Sequence, residues 1–266
     1  MTGIPVAKDF IMDILTFGAG ERLRICSSTL ASVYSNGVSV PRVIVLPVPT
    51  TKDGKTVFGC DTALSEIVSF VEEGCLVAGY GIPEALADGV VALGGYIYDA
   101  ELDEEFLQKN AYLTALGTVG YLLTKYPVCT SEMRVGIVGY GRIGEALARL
   151  LLFLGLSITV YSGRLKVIRA LCELGICAED YRGGADYSGL DILINTAPDR
   201  IITAGDMERF SGLGIIDLAS GSYLSGIEGV IKLSGVPEKF YPVTAGRLYA
   251  EHIARRLPMA ASLEKP

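Results

Sequence analysis

The stretch VGIVGYGRIGEALARLLLFLGLSITVYSGR, residues 135–164, decides the fold of the second half of the chain. An apolar strand leads into Gly139-Tyr140-Gly141-Arg142-Ile143-Gly144, a helix follows, and a second strand ends about 20 residues later, as in a dinucleotide-binding βαβ unit. There the first glycine permits a tight turn, the second lets the backbone approach a pyrophosphate, and the third brings the helix close to the sheet. The helix N-terminus offers N–H groups and partial positive charge to phosphates. We therefore predict nucleotide binding at residues 139–144; the alternative is a glycine-rich turn that binds nothing.

The end of the second strand sets the expected choice between NAD and NADP. Units that bind NAD usually place Asp or Glu there to bond the ribose 2′-hydroxyl, whereas this chain has Tyr161-Ser162-Gly163-Arg164. Ser162 can donate a hydrogen bond to a 2′-phosphate, and Arg164, together with Lys166, can neutralise its charge. We predict NADP rather than NAD; the alternative is that both cations simply solvate the start of a helix.

Two later strand ends are expected beside the nicotinamide ribose, because ligands of open parallel sheets bind at the carboxyl ends of the strands. The segments concerned are DILINTAP, which ends at Pro198, and IIDLAS, which ends at Ser220. The predicted cofactor contacts are Asn195, Thr196, Ala197, Pro198, Ala219 and Ser220. For Asp217, hydrogen bonding to loop amides and a part in the chemistry are equally open.

Composition excludes several classes of protein. The chain has 266 residues, a net charge of −7, six cysteines and one histidine. The acidic balance argues against nucleic acid as a partner, and an anionic substrate would need a local cationic pocket. The cysteines form no CxxC pair and His252 is remote from them in sequence, so no metal site is predicted. No signal peptide or membrane-length apolar run is present, so we expect a cytoplasmic protein with no membrane partner.

Strand-like and helix-like segments alternate along the chain, which predicts an α/β protein with mostly parallel sheets. In the first half, the predicted strands are residues 22–28, 42–49, 75–81 and 94–100, and the predicted helices are residues 63–74 and 101–127. We expect two domains, a smaller N-terminal α/β domain and a C-terminal Rossmann-type sheet, joined by a long helix. The expected bounds are 1–108 for the first domain, 109–127 for the linking helix, 128–243 for the NADP-binding domain, and 244–266 for a C-terminal helix packing back on the first domain.

An ordered set of segments resembles the A subunit of dipicolinate synthase, a family similar in fold to the D-2-hydroxyacid dehydrogenases. The segments are VIVLPVPTTKDGKTVF (43–58), LVAGYGIPEAL (76–86), NAYLTALGTVGYLL (110–123), VGIVGYGRIGEALARLL, DILINTAP, IIDLAS and PVTAG (242–246). The resemblance implies NADP-linked oxidation of dihydrodipicolinate, or a similar small cyclic dicarboxylate, to dipicolinate during sporulation. It also implies a CH–CH type of donor and, as partner, the flavoprotein-like B subunit of that family. Homodimers are common for such folds.

A dicarboxylate substrate would need cations and hydrogen-bond donors in a cleft between the two domains. The loop 47–55 supplies both, since Thr50 and Thr51 can bind a carboxylate and Lys52 or Lys55 can pair with it. At the start of the last helix, Thr244 and Arg247 could face the same cleft. We predict substrate binding by Thr50, Thr51, Lys52 and Thr244; the alternatives are a solvated polar turn and, for Arg247, a plain surface charge.

Departures from the family's pattern keep two other functions open. Leu113 and Leu116 stand where the family carries Pro and Glu, and Leu116 cannot act as an acid or base. The chain also begins near the point where the family's first strand and its Gly-Gly-Asp-x-Arg turn would have passed, so we expect that strand to be missing. His252, close to Arg255 and Arg256, is expected on a solvated face, and no catalytic residue is assigned. The alternatives are a related 2-hydroxyacid dehydrogenase-like enzyme and a nucleotide-binding protein that serves a complex in a non-catalytic or regulatory role.

Overall fold

Two compact α/β units make up the fold, each built around a parallel sheet, which confirms the predicted fold class. The computed structural model describes residues 14–34, 42–126, 131–198, 201, 210, 212–219, 224 and 228–257. The first unit comprises Met1–Leu107 together with Tyr241–Pro266, and the second comprises Gln108–Phe240. The boundary falls inside the long helix α4 (Glu104–Lys125), which begins in the first unit and continues in the second.

The first unit contains a four-stranded sheet in the order β1-β2-β3-β4, with every pair parallel. Its strands are β1 (Ile14–Thr16), β2 (Val43–Val45), β3 (Leu76–Gly79) and β4 (Tyr96–Asp99). Its further helices are α1 (Glu21–Tyr34), α2 (Leu64–Ile67), α3 (Glu84–Ala92) and α8 (Pro242–Ala254). The helix predicted over residues 63–74 is shorter than expected, because α2 passes into a 3-10 turn and the chain becomes extended at Val71.

The prediction of a strand at RLRICSS, residues 22–28, is wrong, because the segment lies inside helix α1. Leu23, Cys26 and Leu30 are buried, at the three- and four-residue spacing of one helical face. The helix packs on α8, where a β-carbon on Gly246 would lie only 2.7 Å from the Arg22 carbonyl oxygen. The partner helix comes from the far end of the chain, so local β-branched content was a poor guide.

The expectation that the first strand is missing is also wrong. Ile14–Thr16 pairs in parallel with Val43–Val45 at the edge of the sheet. The turn that follows it runs through Gly18 and Gly20, which have φ values of +100° and +128°. The chain then enters α1 at Glu21. Three residues are too few to show strand periodicity in the sequence.

The second unit contains a six-stranded parallel sheet in the order β7-β6-β5-β8-β9-β10. Its strands are β5 (Arg134–Val138), β6 (Ser157–Tyr161), β7 (Cys177–Glu179), β8 (Ile192–Asn195), β9 (Gly214–Asp217) and β10 (Val230–Lys232). This is the strand order of a Rossmann fold, with the direction of winding reversing between β5 and β8. A ligand crevice is expected at that reversal, outside the carboxyl ends of the two strands.

Helices cover the second sheet and bury its apolar strands. They are the later part of α4, α5 (Arg142–Phe153), α6 (Leu165–Glu173) and α7 (Val236–Phe240). Helix α4 reaches the core through Ala115, Val119 and Leu122, and its Gly117 allows close approach of Val236. Within the described ranges, no helix combines the length and hydrophobicity that crossing a bilayer requires.

Candidate functional site

The glycine-rich turn after β5 has three glycines in three different environments. Gly139 has a φ of +93°, a conformation that side chains disfavour. A β-carbon on Gly144 would lie 2.3 Å from the Gly139 carbonyl oxygen, so the first turn of α5 packs directly on the loop. A β-carbon on Gly141 would meet nothing within 4 Å. Of the three, Gly141 therefore leaves open space beside the backbone, as an approaching pyrophosphate requires.

The N-terminus of α5 lies directly behind that open space. Gly141 is the residue before the helix, and its carbonyl oxygen accepts from the Glu145 amide at 2.8 Å. The first amides of a helix have no intrahelical acceptor, so this end suits an anion. Arg142 is exposed, whereas Ile143 and the Tyr140 ring pack against the core of the unit. The sequence motif therefore combines backbone donors with two residues that anchor the turn.

The end of β6 carries a serine and an arginine beside the glycine turn. Ser162 is 3% exposed, its amide donates to the Glu179 carbonyl, and its hydroxyl oxygen accepts from the Arg164 amide at 3.2 Å. The Arg164 guanidinium donates to the Tyr140 carbonyl. The serine hydroxyl retains its own hydrogen for a further bond. Arg164 thus holds a cation at the glycine turn, and Lys166 lies exposed in the first turn of α6.

Tyr181 is a neighbour of this strand end that the sequence reasoning missed. A β-carbon on Gly163 would lie 2.6 Å from the Tyr181 hydroxyl oxygen. The phenol ring therefore covers the backbone between Ser162 and Arg164. No signal in the sequence links these residues, because Tyr181 is brought there by the strand pairing of β6 with β7.

The end of β8 is bound to the glycine turn. The Thr196 hydroxyl donates to the Val138 carbonyl at 3.0 Å. A β-carbon on Gly139 would lie 3.0 Å from the Ala197 β-carbon and 3.1 Å from its nitrogen. Asn195 is buried, and its side-chain amide bonds both the amide and the carbonyl of Ala197 at 3.2 Å. Pro198 is exposed at the end of the segment, and cofactor contact by these four residues stays a prediction.

The end of β9 holds a fully buried carboxylate. Asp217 accepts from the Ala219 amide at 3.2 Å, which is one of the two roles left open for it by the sequence. It also accepts from the Asn195 side chain at 2.9 Å and from the Lys232 ammonium at 2.7 Å. The sequence reasoning missed Lys232, although a lysine inside a short apolar strand is a usable signal for a buried partner. Ser220, a predicted cofactor contact, lies outside the described residues.

The predicted substrate loop of the first unit has largely internal bonding. Thr50 is fully buried, and its hydroxyl oxygen accepts from the Tyr80 amide at 2.8 Å, which ties the ends of β2 and β3 together. The Asp53 carboxylate accepts from the Thr51 hydroxyl and from the amides of Lys55 and Thr56. The bonds from Thr56 and Lys55 hold the pKa of Asp53 well below its usual range. This loop therefore keeps its shape by its own side chains.

Two lysine side chains of that loop, Lys52 and Lys55, are exposed. The Lys52 ammonium lies 4.1 Å from the centre of the Phe58 ring, a cation–π contact that orients it. The other predicted contact of this unit, Thr244, is exposed in the first turn of α8, and Arg247 is exposed one turn later. The burial of Thr50 assigns it to holding the loop, which leaves Thr51, Lys52 and Thr244 as accessible candidates.

His252 is buried, so the expectation of a solvated face is wrong. Its side chain is 1% exposed, and its Nδ1 donates to the Asp103 carboxylate at 2.9 Å. Burial alone would raise the pKa of Asp103, but hydrogen bonds from His252, the Phe106 amide and Tyr98 hold that pKa at about 2. The arginines next in sequence do project outward, since Arg255 pairs with Glu105 and Arg256 is exposed. Arg255 and Arg256 lie three and four residues after His252, on the same side of the helical turn, and Arg256 donates to the same Asp103 carboxylate at 3.3 Å.

Metal-binding side chains do not gather in the described part of either unit. Among the residues that the structure describes, no three His, Cys, Asp or Glu side chains are grouped to hold a metal ion. The groups that line the crevice are backbone amides, hydroxyls and the Arg164 guanidinium. Such groups bind and orient an anion.

Comparison with known proteins identifies the fold. No protein-family model and no curated protein matches the chain. The A subunit of dipicolinate synthase from Bacillus halodurans matches with a TM-score of 0.75 and 20% identity, over 93% of this chain and 98% of that chain. The A chain of dipicolinate synthase from Bacillus subtilis matches with a TM-score of 0.72 and 18% identity, over 92% and 95%. A transhydrogenase from Sinorhizobium meliloti follows with a TM-score of 0.60 and 16% identity, over 91% and 92%. The chain therefore has the fold of the dipicolinate synthase A subunits, at a sequence identity that makes it divergent from both.

Proposed function

We propose that this chain is an NADP-dependent oxidoreductase of the dipicolinate synthase A type. Its substrate would be dihydrodipicolinate or a similar small cyclic dicarboxylate, oxidised at a CH–CH donor. The observation that carries the proposal is the Arg164 guanidinium on the Tyr140 carbonyl, beside the open space at Gly141. That arrangement places a fixed cation next to a helix N-terminus at the reversal point of a Rossmann sheet.

The residues present fit a nicotinamide dinucleotide. The amides that begin α5 would hold the pyrophosphate, because Gly141 leaves its backbone accessible. The loops after β8 and β9 would line the nicotinamide end, with Ala197 and Ala219 as backbone contacts. When bound, the cofactor supplies the hydride chemistry, and the protein supplies binding and orientation. This division explains why no protein nucleophile is required.

The end of β6 supports NADP over NAD. An Asp or Glu at this point would bond the 2′-hydroxyl and repel a 2′-phosphate. Here Ser162 offers a hydroxyl and Arg164 a guanidinium, which is the donor set that a phosphate dianion prefers. Lys166, in the first turn of α6, adds a second positive charge nearby.

The substrate side of the proposal rests on the loop of the first unit. Lys52 is exposed and its ammonium is oriented by Phe58, so it can pair with a carboxylate. Thr51 is half-buried beside it, but its hydroxyl donates to Asp53 and accepts from the Gly54 amide, so Lys52 carries the substrate side of the proposal. The proposed protein partners are a flavoprotein-like B subunit and a second copy of the chain, and the cytoplasm is the proposed compartment.

A second candidate function is nucleotide binding within a complex, without turnover by this chain. Leu116 favours it, because the half-buried leucine stands where the family carries a glutamate and has no proton to exchange. Leu113 is buried in the same helix. Binding without oxidation of any dicarboxylate would select this candidate.

Fluorescence titration with NADPH and NADH tests the cofactor assignment. We expect the unmodified protein to prefer NADPH. Arg164→Ala should weaken NADPH binding about tenfold or more, the loss typical of a charge-assisted hydrogen bond, and leave NADH binding unchanged. Arg169→Ala is the matched control, because Arg169 is an exposed arginine of α6, the helix that Arg164 precedes. A preference for NADH, or equal losses in both arginine variants, would contradict the assignment.

Turnover is tested by adding dihydrodipicolinate and NADP⁺ and following NADPH formation. Formation of NADPH, with or without a flavoprotein partner, supports the oxidoreductase. Tight NADPH binding with no turnover under either condition selects the non-catalytic role. Oxidation of a 2-hydroxy acid instead would identify a related dehydrogenase.

A further inference from the structure

A line of polar contacts connects the last strand of the second sheet to the glycine-rich turn. The Lys232 ammonium donates to Asp217 at 2.7 Å and also to the Ala219 carbonyl. The other oxygen of Asp217 accepts from the Asn195 side chain at 2.9 Å. Asn195 in turn bonds both backbone groups of Ala197 at 3.2 Å. We call these three side chains, Lys232, Asp217 and Asn195, the polar relay.

The relay ends on the wall of the proposed cofactor crevice. Ala197 packs against Gly139, at the point where a β-carbon would lie 3.0 Å from its own. Thr196 bonds the Val138 carbonyl from the same segment. Ala219, held by both Lys232 and Asp217, follows the neighbouring strand. The relay thus fixes the ends of β8 and β9, the two strands beyond the reversal point.

Burial makes this arrangement more than a surface ion pair. Asp217 is fully buried and Asn195 is 3% exposed, while the Lys232 side chain is 29% exposed. A buried carboxylate without its cation is strongly disfavoured, so the lysine decides whether the loops can keep this geometry. A well-packed apolar pair would often be as stable, which makes stability a weak reason for a buried ion pair. A positioning role accounts for the charges at the end of a cofactor-binding sheet.

We propose that Lys232 is a positioning residue, which acts through Asp217 and Asn195 to hold the nicotinamide-side loops ready for NADP. This inference rests on the proposed cofactor site and adds a residue that lies three strands from the glycine-rich turn. The inference assigns the two ends of the crevice to different residues. The adenosine end depends on Gly141, Ser162 and Arg164, and the nicotinamide end depends on the relay.

Two ligands distinguish those ends. Adenosine 2′,5′-bisphosphate carries the adenine ribose and its 2′-phosphate but no nicotinamide, whereas NADPH carries both. We expect Lys232→Met to weaken NADPH binding by a few-fold to about thirtyfold, the range for substitutions that act through a packed network. Binding of adenosine 2′,5′-bisphosphate should stay within about twofold, as for a site remote from the ligand. Lys239→Met, an exposed lysine of α7 in the same unit, is the control.

A second variant guards against loss of folding from the unpaired carboxylate. Asp217→Asn combined with Lys232→Met removes both charges and keeps an oxygen for the Ala219 amide. It should fold and show the same selective loss of NADPH affinity. Equal losses for both ligands, or no loss for either, would overturn the inference.

Hydrogen exchange on the unmodified protein supplies a measurement that needs no variant. NADPH should slow amide exchange in peptides covering residues 192–198 and 214–219, and adenosine 2′,5′-bisphosphate should not. Protection of residues 139–145 alone by NADPH would overturn the inference and leave the proposed function intact. Absence of protection anywhere would refute the proposed function itself.

Discussion

Two loops that follow buried parallel strands differ in the use of their polar groups. In the second unit, the turn after β5 leaves open space at Gly141 and a helix N-terminus behind it. In the first unit, Asp53 accepts four hydrogen bonds from the loop after β2, and Thr50 accepts one from the end of the next strand. These polar groups of the loop after β2 are bonded within the first unit. The turn after β5 leaves backbone N–H groups at the start of α5 that could donate to an anion.

This difference indicates which features each proposed binding site would use. The second unit depends on backbone shape, so its glycines should matter more than its side chains. The first unit depends on the ends of exposed side chains such as Lys52 and Lys55, which project from a loop that is already stable. Substitutions should therefore separate cofactor binding from substrate binding.

Gly144→Ala should have the largest effect. The new β-carbon would lie 2.3 Å from the Gly139 carbonyl oxygen, which forces α5 away from the turn. Overpacking of this kind costs about 3 kcal/mol of unfolding free energy. Urea denaturation of the variant, together with NADPH titration, should show lower stability and lost binding.

Gly141→Ala is the matched control for that change. Its methyl group meets open space and its φ is −92°, so the free energy of unfolding should be unchanged. NADPH binding should still weaken, because the methyl occupies the approach of the pyrophosphate. Full NADPH affinity in this variant would break the comparison between the loops.

Asp103 should make the free energy of unfolding depend on pH, and this is the next largest expected effect. Its folded-state pKa is about 2 and its ordinary value is 3.8, so its contribution is present above pH 4 and is lost as the pH falls through 2. The loss corresponds to about 2 kcal/mol. Asp103→Asn should remove this part of the pH dependence of unfolding, whereas Asp88→Asn, on the surface of α3, should not.

Thr50→Val should lower stability by about 1–2 kcal/mol, because the Tyr80 amide then loses its buried acceptor. NADPH affinity should be unaffected. Thermal unfolding of the variant beside Thr51→Val, whose hydroxyl is only half-buried, provides the test. A larger loss in the Thr51 variant would mean that the loop is not held through Thr50.

Lys52→Met should have the smallest effect on stability and a selective effect on ligand binding. Binding of pyridine-2,6-dicarboxylate, measured by calorimetry, should weaken while NADPH affinity stays the same. Lys125→Met, at the exposed end of α4, is the control. Unchanged dicarboxylate binding in Lys52→Met would remove the loop from the proposed substrate site.

The elements that were predicted correctly share strong local signals. The glycine turn, helix α5 and strand β6 follow from residues 135–164, because each glycine has a position-specific steric reason. Residues 101–127 predict either one long helix or two shorter ones, and the structure has the single helix α4. By contrast, part of α1 was predicted as a strand. The apolar face of this helix is buried by α8, which is distant in sequence, so no local signal indicates it.

The sequence predicted the parts of the candidate site that backbone segments form. It did not predict the contacts between side chains of different strands. The glycine-rich turn and the position of Arg164 at the end of the second strand follow from the sequence of residues 135–164. Lys232 reaches Asp217 through the pairing of β10 with β9, and Tyr181 reaches Gly163 through the pairing of β7 with β6. Thr50 was predicted to bind substrate, because the sequence of a polar loop does not show that one of its residues is buried.

The sequence alone determined the fold class and the place of the glycine-rich turn, because steric limits on glycine and the periodicity of apolar residues act over a few neighbouring positions. Tertiary structure alone decided the burial of His252, the internal bonding of the substrate loop, and the pairing of Lys232 with Asp217. Those features depend on which distant segments share a surface, and a buried charge is tolerated only where folding brings its partner.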